Sequence, residues 1–257
     1  MNWDLMIDLH KRNPRQGPGS AAQTRLAIDF SGLSSHVGTL KIADIGCGTG
    51  ASTLVLAESL NAEITAVDLF SEFLDILVAQ AGKRGLGDRI GTLPCSMDDL
   101  PFEEASLDAM WAEGSIYNMG FQRGIAYFRR FLKPGGVLAV SEMTWFTRER
   151  PDEIDAYWTN EYPEIATASE KIGILEEQGF APVGYFPLPE NCWTDHYYAP
   201  LQSGFDAFLA RHGTAEASSI IDSERIEIAL YERYRDYYGY GFYIARRMEG
   251  REPARGR

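Results

Sequence analysis

At 257 residues and 45% hydrophobic content the chain is long and apolar enough to bury a sizeable core, which excludes disorder for its bulk. A formal net charge of -13 repels phosphate backbones and argues against a nucleic-acid partner. No apolar run approaches the roughly 18 residues needed to cross a bilayer, and the start MNWDLMIDLHKRNPR is too charged for a secretory leader; a cytoplasmic protein without membrane attachment is expected. Cys47, Cys95 and Cys192 lack metal-type spacing, so reduced thiols and no metal site are expected.

In chain order, the segment RNPRQGPG at 12–19 precedes a helix opened by Ser20 and Gln23 and carried by Leu26, Ile28 and Phe30. Short β-type runs follow at 41–45, 63–68, 90–95, 107–111, 137–141 and 183–186, with helical patterns between them. That alternation predicts a parallel sheet covered on both faces. In the helix at 71–83, Phe73, Leu74, Leu77, Val78 and Ala81 share one face and Gly85 follows as a stop. Thr167 and Glu170 form a capping box for a helix carrying Ile172, Ile174 and Leu175, and Gly179 ends it. A polar and aromatic loop is expected at 189–200, then a mostly helical stretch to about 237. The last β-type run, 240–245, is expected to join the sheet edge antiparallel, because no right-handed crossover constrains it.

The fold class is therefore α/β: a doubly wound, mostly parallel seven-stranded sheet with an antiparallel last strand and helical additions. One domain is expected over 1–246, comprising an N-terminal part at 1–35, a core at 40–187, a loop and helical insertion at 188–238 and the last strand at 239–246. The basic run at 247–257 reads as a solvated tail. The extra helical segments offer a surface for a homodimer.

The strongest chemical signal is DIGCGTG at 44–50, where a strand runs into three glycines and then the helical pattern at 51–60. Glycine lets the backbone turn sharply and approach a ligand, and the helix that follows presents free N–H groups. Asp44 stands two positions before Gly46, and Asp68 ends the next strand, where a carboxylate can accept both ribose hydroxyls of an adenosine.

At these residues the chain resembles the class I S-adenosylmethionine-dependent methyltransferases, whose first motif reads much like 44–50. The likeness covers roughly 40–187. It continues in CSMDDLPF at 95–102, similar to the family segment that closes over the adenine, and in LKPGG at 132–136, before the fifth strand. Within the family the chain is most similar to the small-molecule enzymes of the ubiquinone/menaquinone-biosynthesis type, with a Rossmann-like fold.

The resemblance implies S-adenosyl-L-methionine as cofactor and a small molecule as acceptor. It places Gly46, Gly48 and Gly50 beside the methionine part, Asp68 at the ribose, and Ser96, Met97 and Asp98 at the adenine edge, with Asp44, Cys47 and Leu69 as further cofactor-binding positions. Since the family often has aspartate where Ser96 stands, the contact to the exocyclic amine stays open between Ser96 and Asp98. Family members use N-terminal segments as lids, which implies that Arg15 or Gln16 reaches the cofactor carboxylate.

WAEGSIYN at 111–118 emerges from the fourth strand at the carboxyl end of the sheet, where open α/β sheets bind ligands. Glu113 there suits the sulfonium or the cofactor's amine, and Tyr117 and Asn118 either line the substrate pocket or pack under the next helix. The rings of ENCWTDHYY at 190–198 suit a small acceptor, making Trp193, Tyr197 and Tyr198 substrate candidates and His196 the candidate general base. The tyrosine-rich run at 231–243 reads mainly as packing. The implied reaction is in-line methyl transfer. A non-catalytic S-adenosylmethionine-binding protein stays open as an alternative. A nicotinamide-dependent oxidoreductase fits less well, because the glycines are spaced G-x-G-x-G and no Tyr is followed four residues later by Lys.

Overall fold

The computed structural model describes residues 2–250. The chain enters through α1 (Trp3–His10), capped by the Asn2 side chain, and α2 (Ala21–Ser31), capped by Ser20, which accepts from the Gln23 N–H. Then come β1 (Leu40–Ile45), α3 (Ala51–Ser59), β2 (Ala62–Asp68), α4 (Ser71–Lys83) and β3 (Ile90–Pro94). Next are β4 (Leu107–Glu113), α5 (Phe121–Arg129), β5 (Leu132–Trp145) and α6 (Asp152–Glu161). The two-residue β6 (Ala166–Thr167) leads into α7 (Ala168–Glu177), whose capping box uses Thr167 and Glu170 as expected, and then into β7 (Phe180–Pro187).

The sheet order is β3-β2-β1-β4-β5, then β8 (Tyr238–Arg247), then β7, with β6 beside the end of β5. The first five strands pair in parallel, and β8 pairs antiparallel with both β5 and β7. The antiparallel last strand is thus present, but it is inserted between β5 and β7 and does not lie at the edge. The edge strand is β7, where Pro182 and Pro187 cost the ladder least. This insertion matters for the site. An antiparallel β8 begins where parallel β5 ends, so Tyr238 and Tyr240 pair with Trp145 and Met143 at the carboxyl edge.

Side chains alternate across the sheet with period two. Ile42, Trp111, Ala139 and Phe242 join the core under α2 and α3, whereas Ala43, Met110, Leu138 and Tyr243 join the core under α5 and α7. Helix α3 is buried from Ser52 to Ala57 because α2 covers its outer side, which is why it shows no amphipathic stripe.

Two regions depart from expectation. Residues 189–200 form no loop: α8 (Asn191–Trp193), a π-helical turn (Thr194–Tyr198) and α9 (Ala199–Ser203) run on into α10 (Phe205–His212) and α11 (Ala215–Tyr234). Polar residues had suggested a connector, but Cys192, Trp193, Tyr197 and Tyr198 are buried on one side of this helical turn. Secondly, Arg247 belongs to β8, with Arg246 before it, and not to a solvated tail. Arg246 donates to the Ser31 and Gly135 carbonyls, and Arg247 to those of Arg129 and Leu132. The tail expected at 247–257 lies, from residue 251 on, outside the described residues.

Candidate active site

The strand order reverses between β1 and β4, and a crevice lies outside their carboxyl ends, where open α/β sheets bind ligands. A cleft of about 380 Å³ opens there. Its floor is the glycine turn, held down by the Gly46 and Cys47 N–H groups donating to the Val67 carbonyl at 2.8 and 3.0 Å. Gly46 and Gly48 have φ of +67° and +54°. A Cβ at Gly46 would overlap Ser115 Cβ, and one at Gly48 would overlap the Gln16 amide, so side chains are excluded there by space as well as by conformation.

Asp68, at the end of β2, accepts from the Gly48 N–H at 2.8 Å through one oxygen and from the Phe70 N–H at 3.0 Å through the other. Burial raises its pKa and these N–H bonds oppose the rise. A carboxylate has about four acceptor sites, so two remain for hydroxyls in the cleft. Leu69, Ser96, Met97 and Asp98 line the cleft as expected positions, although Ser96 Oγ and Asp98 also bond to each other and Asp98 pairs with Arg123 at 2.7 Å. Tyr117 and Asn118 line it too, with Asn118 anchored to the Ser115 carbonyl.

A small polar recess of about 60 Å³ continues from the cleft and is lined by Arg15, Gln16, Cys47, Ser52 and Glu113, among others. Gln16 ties the 12–19 segment to the glycine turn: its Oε1 accepts from the Thr49 N–H at 2.8 Å, while its Nε2 donates to the His10 and Asn13 carbonyls. Glu113 accepts from Arg15, from the Thr24 hydroxyl at 2.7 Å and from Trp111 Nε1 at 2.9 Å. Its charge is therefore already compensated, and Arg15 is the recess's cationic group.

Two of the expected cofactor residues face elsewhere. Asp44 is fully buried away from the cleft, and its Oδ2 accepts from the Ser52 and Thr53 hydroxyls at 2.8 and 2.6 Å, fastening β1 to the first turn of α3. Burial pushes its pKa up to about 7. Gly50 faces α4, where an added Cβ would overlap the Leu77 side chain. Both shape the turn without lining the cleft.

Beyond Tyr117 lies an inner chamber of about 400 Å³. Trp193 and Tyr197 line it, as does Tyr240 from the start of β8. His196 does not. It is exposed on the π-helical turn and does not line the chamber. Tyr198 is buried behind the wall, with its hydroxyl on Glu227 at 2.9 Å. The acid that does reach the chamber from the sheet is Glu142, near the end of β5 and 1% exposed. Its Oε1 accepts from the Met143 N–H at 2.7 Å, and burial pushes its carboxyl up to about 7 against the opposing pull of Lys171.

Residues 42–136 match the family model described as a methyltransferase domain. Residues 42–136 are thus similar to a methyltransferase domain, and the glycine turn, Asp68 and the 95–98 segment lie within that stretch. Among curated relatives, the O-methyltransferase cnsE of Penicillium expansum is 27% identical over 58% of this chain and 55% of its own length. The chain thus spans little more than half the length of that relative. Among solved structures, an S-adenosylmethionine-dependent methyltransferase from Geobacter sulfurreducens in complex with S-adenosyl-L-homocysteine superposes with a TM-score of 0.76 at 16% identity, covering 95% of this chain and 96% of the other. The (4+2)-cyclase SpnF superposes with a TM-score of 0.73 at 23% identity, covering 96% and 94%. At these identities the two structures establish the shared fold.

Several lining residues are not among the candidates that the sequence offers. Trp3 and Phe70 flank the cleft, their ring centroids 5.4 Å apart, and Tyr157, Trp158, Tyr162 and Glu227 line the chamber. Glu142 left a readable signal, an acid inside the otherwise apolar run of a central strand. Tyr240 left none, because only the insertion of β8 brings it to the carboxyl edge.

Proposed function

We propose that the protein transfers a methyl group from S-adenosyl-L-methionine to a small-molecule acceptor. The observation that carries this reading is the shared wall: Gln16, Gly114 and Tyr117 line both the outer cleft and the inner chamber. A donor site and an acceptor site thus meet at one border, as a displacement between two bound molecules requires.

The residues present fit the cofactor. Gly46 and Gly48 line the cleft with backbone, since a Cβ there would overlap Ser115 or Gln16, Asp68 keeps two acceptor sites for ribose hydroxyls, and Arg15 offers a guanidinium in the polar recess. Met97 flanks the adenine position, with Ser96 and Asp98 as polar neighbours. When bound, S-adenosylmethionine supplies an activated methyl carbon on a sulfonium that leaves as a neutral thioether. The chain's part is to hold the acceptor atom in line, to exclude water with Tyr117 and Tyr240, and to match the dispersing positive charge. Where the acceptor atom carries a proton, Glu142 replaces His196 as the group placed to take it, since a carboxyl near 7 is matched to neutral pH.

A merely cofactor-binding protein has no use for a chamber as large as the donor cleft, which favours turnover. Among the described residues no helix is long and apolar enough to cross a membrane. With the net charge of -13 this supports a cytoplasmic protein acting on diffusing small molecules without nucleic acid, and the added helices remain our proposed homodimer surface. Isothermal titration against S-adenosylhomocysteine and NAD tests the donor site. Saturable binding of the former alone supports the reading, and binding of NAD in its place would sink it. Mass spectrometry for S-adenosylhomocysteine released over metabolite pools tests the transfer.

A further inference from the structure

The inner chamber has a chemical character that methyl transfer alone does not demand. Its walls are aromatic: Tyr157 packs edge-on against Trp158 at 5.1 Å between centroids, and Trp193 against Tyr240 at 5.0 Å, with Tyr117 and Tyr162 closing the side towards the donor cleft at 6.2 Å. Its charged groups are all acids. Glu142, Glu161 and Glu227 line it from β5, α6 and α11, and no Lys, Arg or His is among the described residues that do so.

Two of these acids are set into the wall. Glu142 is 1% exposed, and its Oε2 has no hydrogen-bond partner, although the Tyr162 hydroxyl stands close enough to act on its pKa. Glu227 is held by the Tyr198 hydroxyl, and burial raises its pKa. Lys171 is the cation that acts on Glu142, but it sits behind the wall. Its Nζ lies 4.3 Å from the Phe121 centroid and 5.4 Å from that of Tyr162, and it donates to the Glu164 carbonyl. The chamber is therefore lined by carboxyl groups and aromatic rings and keeps Lys171 outside.

We propose that the acceptor carries an ammonium group, held between the aromatic faces and the carboxylates of the inner chamber. Ring faces and carboxylates attract the same charge, the former through the quadrupole and the latter directly, and both act more strongly away from water. A buried carboxyl without a partner is held near neutrality by its burial, and a cation beside it restores the charge at lower cost. An acceptor bearing phosphate or carboxylate would meet three acids without a balancing cation in the wall, which sets it at a disadvantage. The protein's overall negative charge draws cations towards the site as well.

This proposal rests on the methyltransferase reading, and the test separates the two. The protein is first loaded with S-adenosylhomocysteine, followed by titration calorimetry. It is then titrated with choline and with dimethylbutanol, in which a tert-butyl carbon replaces the quaternary nitrogen. We expect choline to bind at least about tenfold more tightly than its neutral isostere. Glu142→Gln and Glu227→Gln should each erode that ratio while leaving S-adenosylhomocysteine affinity unchanged, and the Glu227 variant carries the comparison if the Glu142 variant fails to fold. Equal affinity for the two probes, or no choline binding to the loaded protein, overturns the proposal and leaves the methyltransferase reading standing. Failure to load S-adenosylhomocysteine overturns both.

Discussion

The donor cleft and the inner chamber lie on the two sides of one wall, yet they are built in different ways. The cleft is made where strands end and turns begin, at 46–48, 68–70 and 95–98, and much of its work is done by backbone. The chamber is assembled from single side chains on β5, α6, the π-helical turn, α11 and β8, elements separated by up to a hundred residues. Backbone constraints demand particular residues at fixed spacing, chiefly glycine, whereas a wall of side chains can be supplied from many places. The first kind of site holds a shared cofactor, and the second can be refitted for different acceptors.

The two halves should break differently. Trp193→Ala should give the largest effect, and on stability. The ring is 1% exposed, stacks on Tyr231 at 4.5 Å and meets Tyr240 edge-on, so its removal should cost about 3–5 kcal/mol in chemical denaturation. A change in apparent Michaelis constant alone, with stability intact, would show that the ring serves the acceptor more than the core. Asp68→Ala should act on the other half. Loss of charge-assisted hydrogen bonding to ribose should weaken S-adenosylhomocysteine binding by at least about 1.5–3 kcal/mol, roughly ten- to hundred-fold. Because Asp68 also holds the Gly48 N–H, a further loss of about 1 kcal/mol in folding stability should accompany it.

A pH scan sharpens the contrast. Burial, with Glu227 nearby, pushes Glu224 from 4.5 up to about 8, so the folded protein holds a proton that the unfolded chain has already released. Its contribution is complete below pH 4.5 and is lost as pH rises towards 8. His10, pushed from 6.5 down to about 4 by burial, has the opposite slope, but only below pH 6.5. Between pH 6.5 and 8 the melting temperature should therefore fall more steeply in the native protein than in Glu224→Gln, by up to about 2 kcal/mol of stability. Parallel curves would show that Glu224 titrates normally. The smallest effect belongs to His196→Ala: the side chain is exposed, so stability should stay within about 0.5 kcal/mol and methyl transfer should be unchanged. A large loss of turnover would restore His196 to the reaction.

How much could be read beforehand follows the same division. The glycine turn, Asp68, the 95–98 segment and the succession of strands β1 to β5 along the chain are legible because each is a local pattern with a backbone cause. Asp44 and Gly50 belonged to the motif but face inward, a distinction that depends on which side of the turn α3 and α4 occupy. The 189–200 segment has the sequence of a loop but folds as helix, because its polar residues, Asn191, Asp195 and His196, alternate with rings whose burial depends on α11 and β8. Tyr157, Glu227 and Tyr240 show no local sign of a site. Only the insertion of β8 and the folding of α6 and α11 over the carboxyl edge bring them together.

The most direct test of the account is a crystal structure of the protein with S-adenosylhomocysteine. The account predicts ribose hydroxyls on Asp68, the adenine beside Met97, the amino-acid end in the recess with Arg15, and the sulfur facing the Tyr117 and Tyr240 side of the chamber. A ligand whose sulfur points away from that chamber, or which leaves Asp68 uncontacted, would contradict it.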